Sequence, residues 1–135
     1  MVAGASVCLD TDLCVDYLRR RAAAGPLAFA QLPVSDAWIS AVTLAELRFG
    51  AQRSVHRARE NAKLAELLAV VGVRAFDARA AEASATVRTH LEATGQRIGP
   101  LDSLIGAHAL AEGAVLMTRN VREFSHIPGL AIAEA

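Results

Sequence analysis

The sequence has few of the residues that mark membrane, secreted or zinc-binding proteins. Its 135 residues include two cysteines, and aromatic residues make up 4%. No apolar run approaches the roughly 18 residues that span a bilayer, and the N-terminus lacks a basic segment followed by a long apolar stretch. Cys8 and Cys14 have no Cys/His zinc spacing, and we expect both to be reduced core thiols. These absences predict a soluble, cytoplasmic protein.

Neither sign of charge is in excess. Lys+Arg and Asp+Glu both number 14, and a net charge of zero excludes a bulk polycation that coats nucleic acid nonspecifically. All the basic residues except Lys63 are arginines, whose planar guanidinium group suits phosphate or carboxylate. With 53% apolar residues the chain can bury a sizeable core. We expect residues 1–135 to form a single domain, on which a local basic patch remains possible.

Apolar strands alternate with helical patterns along the chain. Strands are predicted over Val7–Leu9, Ala37–Ser40, Val73–Phe76, Val115–Thr118 and Leu130–Ala133. Helices are predicted over Leu13–Arg21, over Val55–Val71, from the N-cap Asp77 to Gly95, over Asp102–Ala111 and over Val121–Phe124. Another helix is predicted to begin at Val42 and to be interrupted or ended by Gly50. Pro26 could open a further short helix. This alternation, without tight hairpin signals, predicts an α/β fold with a mostly parallel sheet of four or five strands flanked by helices.

Three carboxylates far apart in sequence lie at the ends of predicted elements. Asp10 ends the first strand, Glu46 lies in the first turns of a helix, and Asp102 opens another. Parallel α/β sheets bind ligands beyond the carboxyl ends of their strands, so folding can bring these acids to one crevice. An oxygen-ligated Mg²⁺ or Mn²⁺ ion would relieve their mutual repulsion. Such a site polarises a phosphodiester and lowers the pKa of bound water, which predicts phosphodiester hydrolysis.

Each acid also has a purely structural interpretation. Asp102 follows a proline and could be an N-cap, and Asp10 or Asp12 could cap the first helix. Glu46 could point to solvent, although a carboxylate buried on its apolar turn would need a partner. Trp38 is expected in the core rather than as a platform for bases. His108 is expected to be a packed side chain rather than a general base.

Four segments resemble, in order and spacing, the successive motifs of PIN-domain ribonucleases and of VapC toxins in particular. They are VCLDTD, SAVTLAELRFGA, RIGPLDSLIGAHALAEGAVLMT and TRNVREFSHIPGL. The resemblance implies a PIN-like three-layer fold and a Mg²⁺- or Mn²⁺-dependent endoribonuclease that acts as the toxin of a type II toxin–antitoxin system. It also implies a cognate antitoxin that occludes the site, an RNA substrate and a homodimer.

The resemblance also implies roles for individual residues. Asp10, Glu46 and Asp102 match the acids of the family motifs and are the expected catalytic metal ligands, direct or through water. The supporting positions are Thr11, Asp12, Thr118, Asn120 and Glu123, and the candidates for phosphate contacts are Arg48, Arg53, Arg119 and Arg122.

The fourth acidic position of the family is the least certain corner of the site. It matches Asn120, which brings no charge, and Glu123 on the next turn is a candidate substitute. Asp12 stands where family members commonly carry Asn, so it is open whether Asp12 is a ligand or an N-cap. Thr118 matches a hydroxyl that in the family often lines the site near the metal.

Other functions stay open at this stage. Asp10-Thr11-Asp12 resembles the DxD signature of haloacid-dehalogenase-type phosphatases, but that family also needs a positioned lysine, and Lys63 lies in mid-helix. The missing fourth acid is compatible with a non-catalytic binding domain. A DNA-directed PIN-like nuclease is a further alternative, because the spacing of the acids does not separate RNA from DNA substrates.

Overall fold

Five strands alternate with six helices in the part of the chain that the structure describes. This structure is a computed structural model, and it describes residues 6–24 and 36–135. The strands are β1 (Ser6–Leu9), β2 (Asp36–Ser40), β3 (Gly72–Arg74), β4 (Val115–Thr118) and β5 (Ala131–Glu134). The helices are α1 (Thr11–Ala24), α2 (Ala41–Arg53), α3 (Arg57–Leu68), α4 (Ala78–Ala93), α5 (Pro100–Ala111) and α6 (Val121–Phe124). The short helix predicted to begin at Pro26 lies outside the described residues.

The strands form one sheet in the order β3-β2-β1-β4-β5, and every strand pair is parallel. This confirms the predicted parallel α/β architecture. The chain moves from β1 to β2 on one side and later returns to β4 on the other side, so the strand order reverses between β1 and β4. Open α/β sheets bind ligands in the crevice at such a reversal. Leu9 pairs with Met117, and the residues that follow these two strands, Asp10 and Arg119, therefore lie at this crevice.

Helices cover both faces of the sheet, because successive strand residues point to opposite sides. One buried cluster joins Cys8, Trp38 and Leu116 of the strands to Val87 and Leu91 of α4 and Ile105 of α5. The other joins Val7, Leu9, Ile39 and Met117 to Cys14 and Tyr17 of α1, Leu47 of α2 and Leu64 and Leu67 of α3. The result is the expected three-layer arrangement, with the sheet in the middle.

Local sequence signals account for several helix ends. The side chain of Asp77 accepts a hydrogen bond from the Ala80 N–H at 3.0 Å, so Asp77 is the N-cap of α4, as predicted. Gly95 and Gly113 follow the C-termini of α4 and α5 with φ of 67° and 64°, a conformation that glycine adopts at little cost.

Several predicted boundaries differ from the structure by one to three residues, and two of these differences have a clear physical reason. Gly50 neither interrupts nor ends α2, which continues to Arg53. A helical glycine costs only about 1 kcal/mol, and burial of Leu47 and Ala51 on either side of Gly50 offsets that cost. β3 begins at Gly72 and ends at Arg74, two residues before Phe76, because Arg74 already pairs with the last residue of β2.

None of the helices within residues 6–24 and 36–135 is both long enough and apolar enough to cross a membrane.

Candidate active site

Asp10 has a buried carboxylate, of which one oxygen accepts a hydrogen bond and the other has no partner among the described residues. It follows β1 directly and is 2% exposed. Its Oδ2 accepts a hydrogen bond from Thr118 Oγ1 at 2.8 Å, whereas its Oδ1 is buried and has no partner among the described residues. Burial raises the pKa of Asp10, the Thr118 hydrogen bond opposes this shift, and the charge of Asp12 adds to it. A buried, unpartnered carboxylate oxygen is a natural place for a cation to bind.

Thr118 connects Asp10 to the turn after β4. The fully buried Thr118 hydroxyl accepts a hydrogen bond from the Asn120 N–H at 2.9 Å while it donates to Asp10. Asn120 Nδ2 in turn donates to Glu123 Oε2 at 2.9 Å, and Glu123 Oε1 accepts from the Gly99 N–H at 3.0 Å. Both oxygens of Glu123 therefore hold neighbouring segments in place. Two of the three candidates for the fourth corner of the site, Asn120 and Glu123, thus form a hydrogen-bonded pair, and the third, Asp12, lies on α1.

Glu46 is held by a threonine pair. Thr11 Oγ1 donates to Glu46 Oε1 at 3.0 Å and lies 2.8 Å from Thr43 Oγ1. Thr43 is fully buried and lies one turn before Glu46 on α2. Thr43 was not among the site residues predicted from the sequence. Its spacing of three residues from Glu46, which places both side chains on one face of the helix, was the available signal.

Asp102 lies in the first turn of α5, but it is not the N-cap. Gly99 occupies that position, and no side chain caps the helix. Burial is the main reason that the pKa of Asp102 is raised to about 7, and the charges of Asp10, Glu123, Asp12 and Glu46 add to it in that order. Acids predicted from distant parts of the sequence therefore interact electrostatically at Asp102. The alternative that Asp102 serves as the N-cap was wrong.

These residues fit a hard divalent cation. All the side chains around Asp102 that contribute charge are carboxylates, which suit Mg²⁺ or Mn²⁺ better than zinc. A cation would also satisfy Asp10 Oδ1 and reduce the repulsion that raises the pKa of Asp102. Within the described segments, however, no three His, Cys, Asp or Glu side chains are already grouped closely enough to hold one ion. Binding through water at some of the acids fits this spacing.

A cleft of about 470 Å³ opens beside Asp10. Its walls include Asp10, Asp12, Asp16, Arg19, Arg119 and Asn120. Arg119 forms an ion pair with Asp16, which keeps the guanidinium group at the wall of the cleft. The exposed Asp12 lies in the first turn of α1, next to the acids whose pKa values it raises. Carboxylates and arginines therefore face the same cleft.

The other candidate arginines lie in different surroundings. Arg48 is exposed and lies two residues after Glu46, about 200° around the helix, so it faces away from the acids. The guanidinium carbon of Arg53 lies 5.2 Å from the centre of the exposed Phe49 ring. Arg122 is exposed and lines a separate cleft. The predicted phosphate contacts of these three residues stay predictions.

The structural interpretations of four other residues were correct. Trp38 is fully buried and donates from Nε1 to Ser6 Oγ at 2.8 Å. His108 is also fully buried, and its Nδ1 lies 2.9 Å from Ser40 Oγ. Cys8 and Cys14 are free, buried thiols that belong to opposite clusters, and burial raises the pKa of both.

Comparison with known proteins shows to which family this chain belongs. Residues 7–130 match the model of the PIN domain, and the chain therefore belongs to the PIN-domain family. It is 34% identical over 122 residues to the tRNA(fMet)-specific endonuclease VapC of Shigella flexneri, a match that covers 90% of this chain and 92% of that protein. It is likewise 34% identical over 123 residues to ribonuclease VapC2 of Rickettsia felis, with the same two shares covered. Within the family, the chain is a nuclease of the VapC type.

Solved structures agree with this assignment. The chain resembles the crystal structure of VapBC2 from Rickettsia felis bound to a DNA fragment from its promoter, with a TM-score of 0.88 and 32% identity over 96% of this chain and 98% of that chain. It also resembles VapBC-1 from nontypeable Haemophilus influenzae, with a TM-score of 0.82 and 28% identity over 95% and 96% of the two chains. The layered parallel sheet is thus the PIN fold.

Proposed function

We propose that this chain hydrolyses RNA phosphodiester bonds at the carboxyl edge of its sheet, as the toxin of a type II toxin–antitoxin pair. One observation carries the assignment of the site. Asp10, Glu46 and Asp102 come from three distant segments, yet the charges of Asp10 and Glu46 raise the pKa of Asp102. Like charges are gathered in this way where a cation or a reaction compensates for their repulsion.

We assign Asp10, Glu46 and Asp102 as the residues that hold a divalent cation, directly or through water. Two of them are already oriented, because Thr118 fixes one oxygen of Asp10 and Thr11 fixes one oxygen of Glu46. Such supporting hydrogen bonds set the direction of the remaining lone pairs. Asp10 Oδ1 is the atom most available to a ligand, since it has no partner in the described part of the chain.

PIN-domain VapC nucleases generally depend on a divalent metal ion. We propose Mg²⁺ or Mn²⁺ for this chain, because the charged side chains around Asp102 are all carboxylates. When bound, such an ion polarises a phosphodiester and lowers the pKa of water. The chain itself positions the substrate, and Arg119 at the wall of the cleft can contact a phosphate there.

The VapBC complexes among the structural relatives support an antitoxin as partner. We propose that a cognate antitoxin occludes this site and that the toxin forms a homodimer. Light scattering of the purified chain would test the homodimer. We also propose a cytoplasmic location, where RNA is accessible and where the free thiols of Cys8 and Cys14 stay reduced.

Cleavage of RNA by the purified full chain tests the proposed function. We expect cleavage with Mg²⁺ or Mn²⁺, no cleavage with a chelator, and recovery on metal addition. Asp102→Asn should abolish cleavage. Asp77→Asn is the matched control, because it removes a carboxylate at the start of α4 while asparagine keeps the N-cap. Cleavage that persists in the chelator or in Asp102→Asn would refute the mechanism.

The same assay separates the alternatives. Metal-dependent cleavage of single-stranded DNA but not RNA would indicate a DNA-directed PIN-like nuclease. RNA binding without cleavage under any metal condition would indicate a non-catalytic domain. The phosphatase alternative is not favoured, because the chain belongs to the PIN-domain family and Lys63 pairs with Glu60 on α3 at 3.5 Å.

A further inference from the structure

A second cleft, of about 250 Å³, opens next to the candidate active site. It is lined by Arg97, Asn120, Arg122, Glu123 and His126. Asn120 also lines the larger cleft beside Asp10, so the two clefts share a wall. The second cleft is therefore adjacent to the cleft that contains Asp10.

Glu123 assembles this second cleft from two distant segments. Its Oε1 accepts from the Gly99 N–H at 3.0 Å and its Oε2 from Asn120 Nδ2 at 2.9 Å. Arg97 lies two residues before Gly99, and Arg122 directly precedes Glu123. The two hydrogen bonds therefore hold both arginines at one cleft. Among the described residues, the Glu123 carboxylate forms no ion pair with either guanidinium group, although all three side chains line this cleft.

The two arginines of this cleft have no acidic partner in the part of the chain that the structure describes. Both are exposed, and neither lies within salt-bridge distance of a carboxylate in the described residues. In contrast, Arg74, Arg79 and Arg119 are all ion-paired. Two unpaired guanidinium groups in one cleft attract an anion, and their planar donor geometry matches the oxygens of a phosphate.

We propose that Arg97 and Arg122 form a phosphate subsite for single-stranded RNA, which binds a backbone phosphate beside the bond that is cleaved. This inference rests on the proposed function. Arg119 lies at the first cleft and the new subsite at the second, with Asn120 between them. The RNA then lies across the acids with a phosphate held on each side. Such contacts position the strand without reading its sequence.

Charge removal at the subsite tests the proposal. The variants are Arg97→Gln and Arg122→Gln, and the control is Arg59→Gln on α3, which is also exposed and has no acidic partner in the described residues. We expect each subsite variant to weaken binding of a single-stranded RNA oligonucleotide about five- to tenfold and to reduce the slope of log affinity against log salt by about 0.7. The control should bind like the wild type, and thermal melting should be unchanged in all three.

Neutral analogues of the phosphate group identify which RNA phosphate the subsite binds. Methylphosphonate linkages, introduced one at a time into the RNA, remove the charge of single phosphates. At one linkage near the cleaved bond, the substitution should weaken binding to the wild type but cause no further loss in Arg97→Gln. Binding is measured in the Asp102→Asn background, in which we expect no cleavage. If, at every linkage, the loss of affinity caused by the methylphosphonate adds to the loss caused by Arg97→Gln, the proposed subsite is wrong.

The outcomes distinguish this inference from the proposed function. If both subsite variants bind RNA like the wild type while the wild type cleaves RNA with metal, the subsite is wrong and the nuclease assignment stands. If the variants lose RNA binding but the wild type cleaves no RNA, the phosphate contact of Arg97 and Arg122 stands and the nuclease assignment fails. If they lose only binding to a co-expressed antitoxin, the cleft binds protein and the proposal is overturned.

Discussion

The hydroxyl of Thr118 donates a 2.8 Å hydrogen bond to Oδ2 of Asp10 across 108 residues of sequence. The same hydroxyl accepts from the Asn120 N–H, so it joins the ends of two adjacent strands to the turn that follows them. Asp10 Oδ1 remains buried without a partner in the described part of the chain. Thr118 thus fixes the carboxylate in an orientation that leaves one oxygen available to a ligand.

Thr118→Val should impair both stability and cleavage. The variant keeps the branched shape but leaves Asp10 Oδ2 and the Asn120 N–H without their buried partner, a loss of about 1–3 kcal/mol in the free energy of unfolding. Cleavage should fall about 10- to 100-fold, as for other groups that orient metal ligands. Denaturant unfolding and RNA cleavage measure the two effects. Thr118→Ser retains the hydroxyl, and a serine variant as inactive as the valine variant would contradict this role.

Thr11→Val should reduce cleavage by releasing Glu46. Thr11 Oγ1 donates to Glu46 Oε1 and also contacts Thr43 Oγ1, so its loss frees the Glu46 side chain to rotate. We expect about tenfold weaker metal activation, measured as the Mg²⁺ or Mn²⁺ concentration for half-maximal cleavage. Thr11→Ser should behave like the wild type. An unchanged metal requirement in Thr11→Val would exclude Glu46 as a ligand that Thr11 positions.

The stability of the metal-free protein should fall as the pH rises. Burial raises the pKa of Asp102 to about 7 in the folded protein, above the ordinary aspartate value of 3.8. Between these values the folded state binds more protons than the unfolded state, so the free energy of unfolding decreases from about pH 4 to about pH 7. After allowance for its partial exposure, we expect about 1–2 kcal/mol over this range. Urea unfolding in a chelator at several pH values measures the change.

Variants at two aspartates identify the source of that change. Asp102→Asn should be more stable than the wild type at pH 8 and should lose most of the decrease with pH. Asp77→Asn should retain the decrease. The hydrogen bond from the Ala80 N–H lowers the pKa of Asp77, so ionisation of Asp77 makes the folded state more stable, not less stable, as the pH rises. Added Mg²⁺ should raise the stability of the wild type at pH 8, since it binds the folded state. A wild-type profile that is flat from pH 4 to pH 7 would refute this account.

Two helical glycines should respond to alanine in opposite directions. A Cβ at Gly50 would meet no atom within 4 Å, so Gly50→Ala should raise the free energy of unfolding by about 0.5–1 kcal/mol through helix propensity alone. A Cβ at Gly106 would lie 2.5 Å from Ile127 Cδ1 and 3.3 Å from Phe124 Cδ1. Gly106→Ala should therefore lower stability by about 1–2 kcal/mol, despite the same gain in propensity. Thermal unfolding distinguishes the two, and equal shifts would contradict this packing.

Much of the fold could be predicted from periodicity and from capping residues. The strand around Cys8 and the N-cap at Asp77 depend on local sequence, and the structure confirms both. The end of α2 could not be predicted in this way. Gly50 is a local signal for termination, but burial of Leu47 and Ala51 is a tertiary effect that keeps the chain helical.

The acids that we propose for the site could be selected from the sequence, whereas the contacts that orient them could not. Asp10, Glu46 and Asp102 stand out in sequence because each is a carboxylate among apolar residues. Thr43 looks like an ordinary helical residue until the fold places it against Thr11. The role of Glu123 in holding Gly99 depends on a contact between residues 24 apart in sequence. Contacts of this kind arise from packing, and residue type alone does not reveal them.

The strand order also determines when activity can arise during synthesis. Asp10 emerges early, but Asp102 and Thr118 follow it by 92 and 108 residues. β4 is the strand that pairs with β1 and carries Thr118, so the carboxylate of Asp10 stays unsupported until β4 has left the ribosome. Folding is also slower when it depends on contacts between such distant residues. A nascent chain still short of β4 therefore has no assembled site, and the ribosome that makes this nuclease completes most of the protein before the protein can cut RNA.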